Sequence, residues 1–225
     1  MLNKEQEIFV NNMKSNIMTS KYGSYLLEAP AGCGKTFCSS YLLKNVHLKS
    51  YIIAPTHKAK QILSKSNKNC DTIHRFLRGQ MIYDDLGNQK YIFNPIELND
   101  CIIFIDECSM INDEIFNILQ INYQANNFLI FCGDPLQLPP IENKIDDDDE
   151  NLKFVKTINK SKSFSISNKF TLSENMRAKE NPIGVCLINK ARESIKKKFL
   201  PDFVTKCTEK AMLDYIKKKK QDFIV

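Results

Sequence analysis

One eight-residue segment restricts the fold of this chain more than any other feature of its sequence. It lies between an apolar run at residues 24–28 and a helix-compatible pattern at residues 36–46, and it reads Ala29, Pro30, Ala31, Gly32, Cys33, Gly34, Lys35, Thr36. Its two glycines let backbone N–H groups turn toward one point, and the start of a helix adds a dipole that favours an anion there. The pattern predicts a phosphate-binding loop between a strand and a helix.

The chemistry of that loop follows from its last two residues. Lys35 can reach the outer phosphates of a nucleotide, and the Thr36 hydroxyl can ligate Mg²⁺. The usual pattern has glycine where Ala29 stands. Because this position only leads out of the strand, we expect alanine to be tolerated there.

The loop belongs to a regular alternation of strands and helices. Apolar runs at residues 24–28, 50–54, 101–105 and 127–132, with a weaker one at 169–172, are separated by helix-compatible stretches at 36–46, 57–66 and 112–124. Such runs are typical of strands buried on both faces. The sequence therefore predicts an α/β fold with a parallel sheet flanked by helices.

Polar residues follow two of these strands at the edge where ligands of parallel sheets sit. Asp106 and Glu107 end the run at 101–105, so Asp106 can hold Mg²⁺ while Glu107 activates an attacking water. Gln137 follows the next strand in a proline-rich loop and is placed to contact a γ-phosphate. Taken separately, each segment is also compatible with an ordinary surface turn.

Residues 81–93 interrupt the alternation with two β-prone arms around Gly87 and Asn88. This is a hairpin pattern. Its aromatic residues, Tyr83, Tyr91 and Phe93, are suited either to contact a ligand or to pack across the two strands.

Composition excludes several other classes of protein. The 225 residues are 43% hydrophobic, yet the longest apolar runs are far below the roughly 18 residues that a membrane helix needs. The N-terminus is acidic where a signal peptide is apolar, so we expect an intracellular protein without a membrane segment. Eight scattered cysteines lack C-x-x-C spacing and predict reduced thiols. A zinc pair of Cys70 and His74 would need a second pair, which the sequence does not offer.

Several further segments complete a pattern that resembles the superfamily 1 DNA helicases of the RecD, Dda and PIF-type branch. They are residues 54–60 (APTHKAK), 72–74 (TIH), 106–110 (DECSM), 133–140 (GDPLQLPP) and 172–177 (LSENMR), in the order and spacing of that family. The resemblance extends from about residue 2 to residue 177. It implies a RecA-like P-loop NTPase domain that uses ATP and Mg²⁺.

The resemblance also implies roles for individual residues in nucleotide chemistry. Gln6 matches the glutamine that contacts adenine, and Gln137 matches the γ-phosphate sensor. Arg177 matches the arginine finger, a group that increases the rate of P-loop NTPases by roughly a thousand- to a hundred-thousandfold. The phosphate, metal and base roles fall on the loop at 29–36 and on the Asp-Glu pair already described.

Contacts with single-stranded DNA, or with a junction of single and double strands, are implied in the same way. Pro55, Thr56 and His57 match one strand-contacting segment, with the aromatic ring stacking on a base, and Thr72 and His74 match the next. The hairpin at 81–93 lies where this branch inserts a pin that splits the duplex.

The chain departs from the family after residue 177. Residues 178–225 contain 12 Lys and Arg against 6 Asp and Glu, with helix-like patterns at 182–199 and 208–219, and the second-domain motifs of the family are absent. This basic segment either meets nucleic acid or forms a solvated helix face.

The sequence therefore predicts two domains and is compatible with three functions. Residues 1–177 are predicted as the first RecA-like domain, and 178–225 as a helical lead into a missing second domain. The favoured function is a helicase ATPase domain, either truncated or completed by a second polypeptide, and the resemblance implies 5′ to 3′ movement on DNA. The alternatives are an ATP-gated single-strand-binding module and, least compatible with the Gln137 loop, a small-molecule kinase.

Overall fold

The computed structural model confirms the predicted strand–helix alternation. It describes residues 2–64, 69–83, 87, 89–138, 140, 161–176, 189–190 and 192–193. The chain divides into two units, Met1–Arg177 and Ala178–Val225, and every element described below belongs to the first. The helix-like patterns predicted at 182–199 and 208–219 fall almost entirely outside the described residues.

A sheet of six parallel strands forms the centre of the first unit. Its strands are β1 (Gly23–Glu28), β2 (Lys49–Ala54), β3 (Cys70–Thr72), β6 (Cys101–Ile105), β7 (Phe128–Gly133) and β8 (Lys169–Thr171). They lie in the order β3-β2-β6-β7-β1-β8. The pairing of Leu26 with Phe131 and of Ile53 with Ile105 brings the ends of β1, β2, β6 and β7 to one edge.

The helices cover both faces of this sheet. They are α1 (Lys4–Met18), α2 (Lys35–Lys44), α3 (His57–Ser64), α4 (Ile73–Phe76) and α5 (Asp113–Tyr123). Because side chains alternate along a strand, Ile102 and Phe104 of β6 join the core beneath α1, α2 and α3, whereas Ile103 and Ile105 join the core beneath α4 and α5. β6 and β7 are buried along their whole length, which explains their continuous apolar sequence.

The predicted hairpin is confirmed as a separate two-stranded sheet. β4 (Gln80–Tyr83) pairs antiparallel with β5 (Gln89–Ile92), and residues 84–86 and 88 of its turn lie outside the described residues. Tyr91 stacks on Phe93 with ring centroids 6.0 Å apart, a contact between residues of the same arm and not one across the two strands. Tyr83 and Tyr91 are 63% and 40% exposed, so two aromatics of the hairpin face solvent.

Three of the α-helices and strands described above were not predicted: α1, β3 and α4. α1 begins with a capping box in which Asn3 and Gln6 bond reciprocally, and it buries Phe9, Val10 and Met13. β3 has three residues and α4 has four, too few for a periodic pattern to identify them.

The described part of the chain contains six cysteines, and each of them is a reduced thiol. Five are buried and Cys70 is half-buried, whereas Cys186 and Cys207 lie outside the described residues. Those residues contain no group of three or more His, Cys, Asp or Glu arranged for a metal ion. None of the helices described has both the length and the apolar character that crossing a membrane requires.

Candidate functional site

A cavity of about 430 Å³ opens at the edge where the parallel strands end. Seven polar residues line it: Thr36, Thr56, Lys58, Asp106, Glu107, Ser109 and Gln137. Four of these, all but Thr56, Lys58 and Ser109, were predicted to act on the nucleotide. The structure therefore brings the predicted metal, base and γ-phosphate residues to one place, with apolar side chains of α3 forming another part of the wall.

The phosphate loop has the backbone conformation that its glycines predict. Gly32 and Gly34 have φ of +88° and +87°, a region that residues with a Cβ adopt at a cost. Lys35 opens α2, and its ammonium group donates to the carbonyl oxygens of Ala29 at 2.9 Å and Pro30 at 3.3 Å. The side chain thus lies folded across the loop and is 9% exposed.

Residues far away in the sequence hold this loop closely. A Cβ on Gly32 would lie 2.6 Å from Asn175 Oδ1, and a Cβ on Gly34 would lie 2.5 Å from Gln6 Nε2. Asn175 also donates to the Ala31 carbonyl, and the Met176 backbone donates to that of Gly32 at 2.9 Å. The positive φ angles thus favour glycine at both positions, and the side-chain ends of Asn175 and Gln6 occupy the space beside them.

Asn175 and Met176 belong to the family segment at 172–177, but nothing in the sequence reveals their contacts with the phosphate loop. Arg177, the predicted arginine finger, lies outside the described residues. Its neighbours nonetheless run directly beside the phosphate loop.

Gln6, the predicted adenine contact, lies on the same side of the loop. Its amide nitrogen donates to the Cys33 carbonyl at 3.1 Å, and its amide oxygen accepts from the Asn3 backbone at 3.0 Å. The side chain is only 1% exposed. Each of these two amide atoms keeps a second hydrogen-bonding position, and the adenine role of Gln6 stays a prediction.

Asp106 and Glu107 occupy different environments at the end of β6. Asp106 is buried, and its pKa is raised to about 6, first by burial and then by the charge of Glu107, while a backbone hydrogen bond from Glu107 and the charge of Lys35 act in the opposite direction. Glu107 is half-buried and has a left-handed backbone with φ of +50°. The Asp106 carboxylate and the Thr36 hydroxyl are oxygen donors on one cavity, which is the ligand type that hard divalent cations prefer.

Gly133, at the end of β7, packs against the turn that carries Glu107. A Cβ on Gly133 would lie 2.7 Å from Cys108 Sγ and 3.2 Å from the backbone nitrogens of Cys108 and Ser109. The loop that carries Gln137 therefore begins in direct contact with the turn that follows the Asp-Glu pair.

Gly133→Ala should displace this turn and lower both stability and activity. Overpacking of a buried contact costs about 1–3 kcal/mol, which we expect in urea unfolding, together with a lower kcat for nucleotide hydrolysis. Combining it with Cys108→Ala removes the sulfur atom and should restore part of both losses. Equal stability of wild type and Gly133→Ala would contradict this packing.

Some of the predicted DNA contacts are exposed, and others form hydrogen bonds within the fold. His57 is exposed at the start of α3, whereas the Thr56 hydroxyl accepts from the Ala59 backbone at 3.2 Å and caps that helix. Thr72 is buried and caps α4 through the Arg75 backbone at 3.4 Å. Pro55 is half-buried.

His74 is engaged with the hairpin. Its ring lies 4.7 Å from that of Tyr91 and 5.8 Å from that of Phe93, measured between centroids. Burial lowers the pKa of His74, with a smaller opposing effect from the charge of Glu114. The histidine thus anchors the hairpin to α4, and any contact it makes with a ligand would be shared with that packing.

Comparison with known proteins shows the family to which the chain belongs. Residues 14–143 match the AAA domain family AAA_19. The chain is 32% identical over 140 residues to the ATP-dependent DNA helicase dda of Enterobacteria phage T4, covering 58% of this chain and 31% of the relative. It is 30% identical over 139 residues to the ATP-dependent DNA helicase Pif1 of Campylobacter jejuni, covering 53% of this chain and 30% of the relative.

The fold agrees with a solved relative. The Bacteroides Pif1 helicase in complex with ADP-AlF3 and single-stranded DNA superposes with a TM-score of 0.58 at 18% identity, over 86% of this chain and 46% of that one. The chain spans about a third of the length of the two curated helicases. It belongs to the AAA domain family AAA_19, with the fold of the first RecA-like domain of Pif1- and Dda-like helicases.

Proposed function

We propose that this chain is the first RecA-like domain of a DNA helicase, which hydrolyses ATP with Mg²⁺ and couples hydrolysis to 5′ to 3′ movement along single-stranded DNA. The observation that carries the proposal is the shared cavity of Thr36, Asp106, Glu107 and Gln137 beside a glycine-dependent phosphate loop. The relatives named dda and Pif1 are ATP-dependent DNA helicases, which supports the same assignment.

Residues of the cavity and of the phosphate loop have different roles in hydrolysis. A water attacks the γ-phosphorus, its proton passes to the Glu107 carboxylate, and the bond to the bridging oxygen breaks so that ADP leaves with the electron pair. Lys35 stabilises negative charge on the outer phosphates, and Gln137 orients the water. Thr36 and Asp106 would hold Mg²⁺, which neutralises phosphate charge when bound.

We assign α3 as the element that connects the nucleotide cavity with bound DNA. Thr56 lines the cavity while the next residue, His57, is exposed at the start of the helix. A base stacked on His57 would contribute about 1–3 kcal/mol without sequence preference, as a moving motor requires. We assign the hairpin β4–β5 as the wedge at a strand junction, with exposed Met81, Tyr83 and Ile92 at its surface.

The domain organisation belongs to the same proposal. Residues 1–177 form the ATPase domain, and the basic residues 178–225 lead toward a second RecA-like domain, supplied by a longer chain or by another polypeptide. ATP would then bind in the cleft between the two domains, with the missing half completing the site.

ATP hydrolysis measured with and without single-stranded DNA, and with and without an added second RecA-like domain, tests the proposal. We expect slow hydrolysis by the chain alone and strong stimulation by DNA only when the second domain is present. Unwinding of a forked duplex in the complete mixture would support the helicase function. ATP-dependent DNA affinity with no unwinding in that mixture would favour the single-strand-binding module instead.

A further inference from the structure

Three buried polar side-chain atoms have no hydrogen-bond partner among the described residues: Ser109 Oγ, Gln137 Oε1 and the Tyr123 hydroxyl. The first two line the same cavity, whereas Tyr123 lies in the core against Phe76. A buried polar group without a partner costs about 1–3 kcal/mol, and native proteins usually satisfy such groups with ordered water or a ligand. The cavity therefore has two atoms to which a bound molecule could form hydrogen bonds.

Ser109 is held in place by its surroundings. It lies in the 3-10 turn Cys108–Met110, which is closed by a hydrogen bond from the Met110 backbone to the Glu107 carbonyl at 3.1 Å. Ser163 fixes the turn from outside by donating to the Cys108 carbonyl at 3.1 Å. Ser109 is 3% exposed, so its hydroxyl has little access to bulk solvent.

Gln137 is brought to the same place by the loop after β7. Its backbone donates to the Asp134 carbonyl at 3.0 Å, which closes a turn directly after Gly133. Gly133 in turn packs on the backbone of Ser109, so the two loops that carry the unsatisfied atoms are in contact at their bases. Packing of the backbone therefore helps to place Ser109 and Gln137 beside the same cavity.

We propose that Ser109 is a further catalytic residue of this site, whose hydroxyl holds the attacking water together with the amide oxygen of Gln137. The inference rests on the proposed ATPase function and adds a residue to it.

A count of hydrogen bonds shows why the water needs both residues. A water has two protons and two lone pairs. Gln137 Oε1 accepts one proton, the Glu107 carboxylate accepts the other, and the Ser109 hydroxyl donates to one lone pair. The remaining lone pair is directed to the γ-phosphorus, where the new P–O bond forms while the bond to the bridging oxygen breaks and Glu107 takes the proton. Ser109 keeps its own proton throughout and acts by orienting the water.

Ser109→Ala tests this arrangement in the DNA-stimulated ATPase assay. Removing one preorganised donor should lower kcat by about 100-fold. The dissociation constant for a fluorescent ATP analogue should change by less than about twofold, because the water does not bind the nucleotide tightly in the ground state. The thermal midpoint should stay equal or rise, since a buried hydroxyl without a protein partner has been removed.

Two further variants separate this role from a structural one. Ser109→Thr keeps the hydroxyl and should recover most of the rate. Ser165 is an exposed serine of the 3-10 helix Lys162–Ser165, and Ser165→Ala should match wild type in every measurement. The double variant Ser109→Ala, Gln137→Ala should be little slower than the slower single variant, because both act on one water. Multiplying effects in the double variant would overturn the shared-water assignment.

The outcomes distinguish this inference from the function on which it rests. A wild-type kcat in Ser109→Ala, with Lys35→Ala inactive in the same assay, overturns the role of Ser109 and leaves the ATPase assignment intact. Absence of hydrolysis by the wild-type chain with DNA and a second domain overturns both. If Ser109→Ala loses its circular dichroism signal, Ser109→Cys replaces it, and a wild-type kcat there overturns the proposal equally.

Discussion

Lys35→Ala is expected to lower ATP turnover by about 10²- to 10³-fold or more, because it removes the preorganised cation from the phosphate loop. The ammonium group lies buried against the carbonyl oxygens of Ala29 and Pro30, where its attraction to phosphate is weakly screened by solvent. Alanine favours helices, so α2 should still begin at this position. Turnover of ATP by the purified variant, measured with single-stranded DNA and a second domain, gives the result directly.

Lys44→Ala is the matched control, since Lys44 is an exposed lysine at the end of the same helix. We expect its turnover to equal that of wild type. Lys35→Arg should also be slow, because a planar guanidinium does not replace a compact ammonium group in a closely packed loop. Equal turnover in wild type and Lys35→Ala would refute the assignment of residues 29–36 as the phosphate loop.

The strands were predictable because burial on both faces leaves a clear record in the sequence. β1, β6 and β7 were placed to within one residue of their observed bounds, since each is a short apolar run followed by polar residues. β3 could not be found in this way, because three residues cannot display a period. α1 was missed although its signal was present in the Asn3–Gln6 capping box.

The candidate site was predictable to the extent that it follows from topology. Parallel strands end at one edge, so residues after β6 and β7 had to approach the phosphate loop. The contacts of Gln6 and Asn175 with that loop could not be derived, because they depend on the space that Gly32 and Gly34 leave open in three dimensions. The unsatisfied Ser109 hydroxyl is likewise a property of packing that no spacing of residues reveals.

The assignment of DNA contacts shows a different limit. The family resemblance identified Thr72 and His74 as DNA contacts, whereas the structure uses Thr72 as the cap of α4 and packs His74 against the hairpin aromatics. Threonine is a preferred helix cap as well as a polar surface residue, so its type does not separate the two roles. Two of the predicted DNA contacts are histidines. His74 packs against the hairpin, whereas His57 is exposed.

Asp106→Asn should have two opposite effects: loss of Mg²⁺-dependent hydrolysis and a gain in stability at neutral pH. The pKa of Asp106 is raised from its ordinary 3.8 to about 6, so the folded protein carries an unfavourable buried carboxylate above that pH. At about 1.4 kcal/mol per pKa unit, the neutral asparagine should stabilise the metal-free protein by about 3 kcal/mol at pH 7. Hydrolysis should fall because the amide is a weak ligand for a divalent cation.

The pH dependence of the stability difference follows from the sign of this shift. Below about pH 4 the carboxyl is protonated in both the folded and the unfolded state, so Asp106→Asn should match wild type there. Between about pH 4 and pH 6 the wild type loses stability relative to the variant, and above pH 6 the difference is complete. Urea unfolding in EDTA across this range measures it, and added Mg²⁺ should narrow the gap by binding only to the wild type. Asp113→Asn is the control, because Asp113 is exposed and pairs with Lys162; this variant should be slightly less stable than wild type. If the stability difference between Asp106→Asn and wild type stayed constant from pH 3 to pH 8, burial would not perturb the pKa of Asp106.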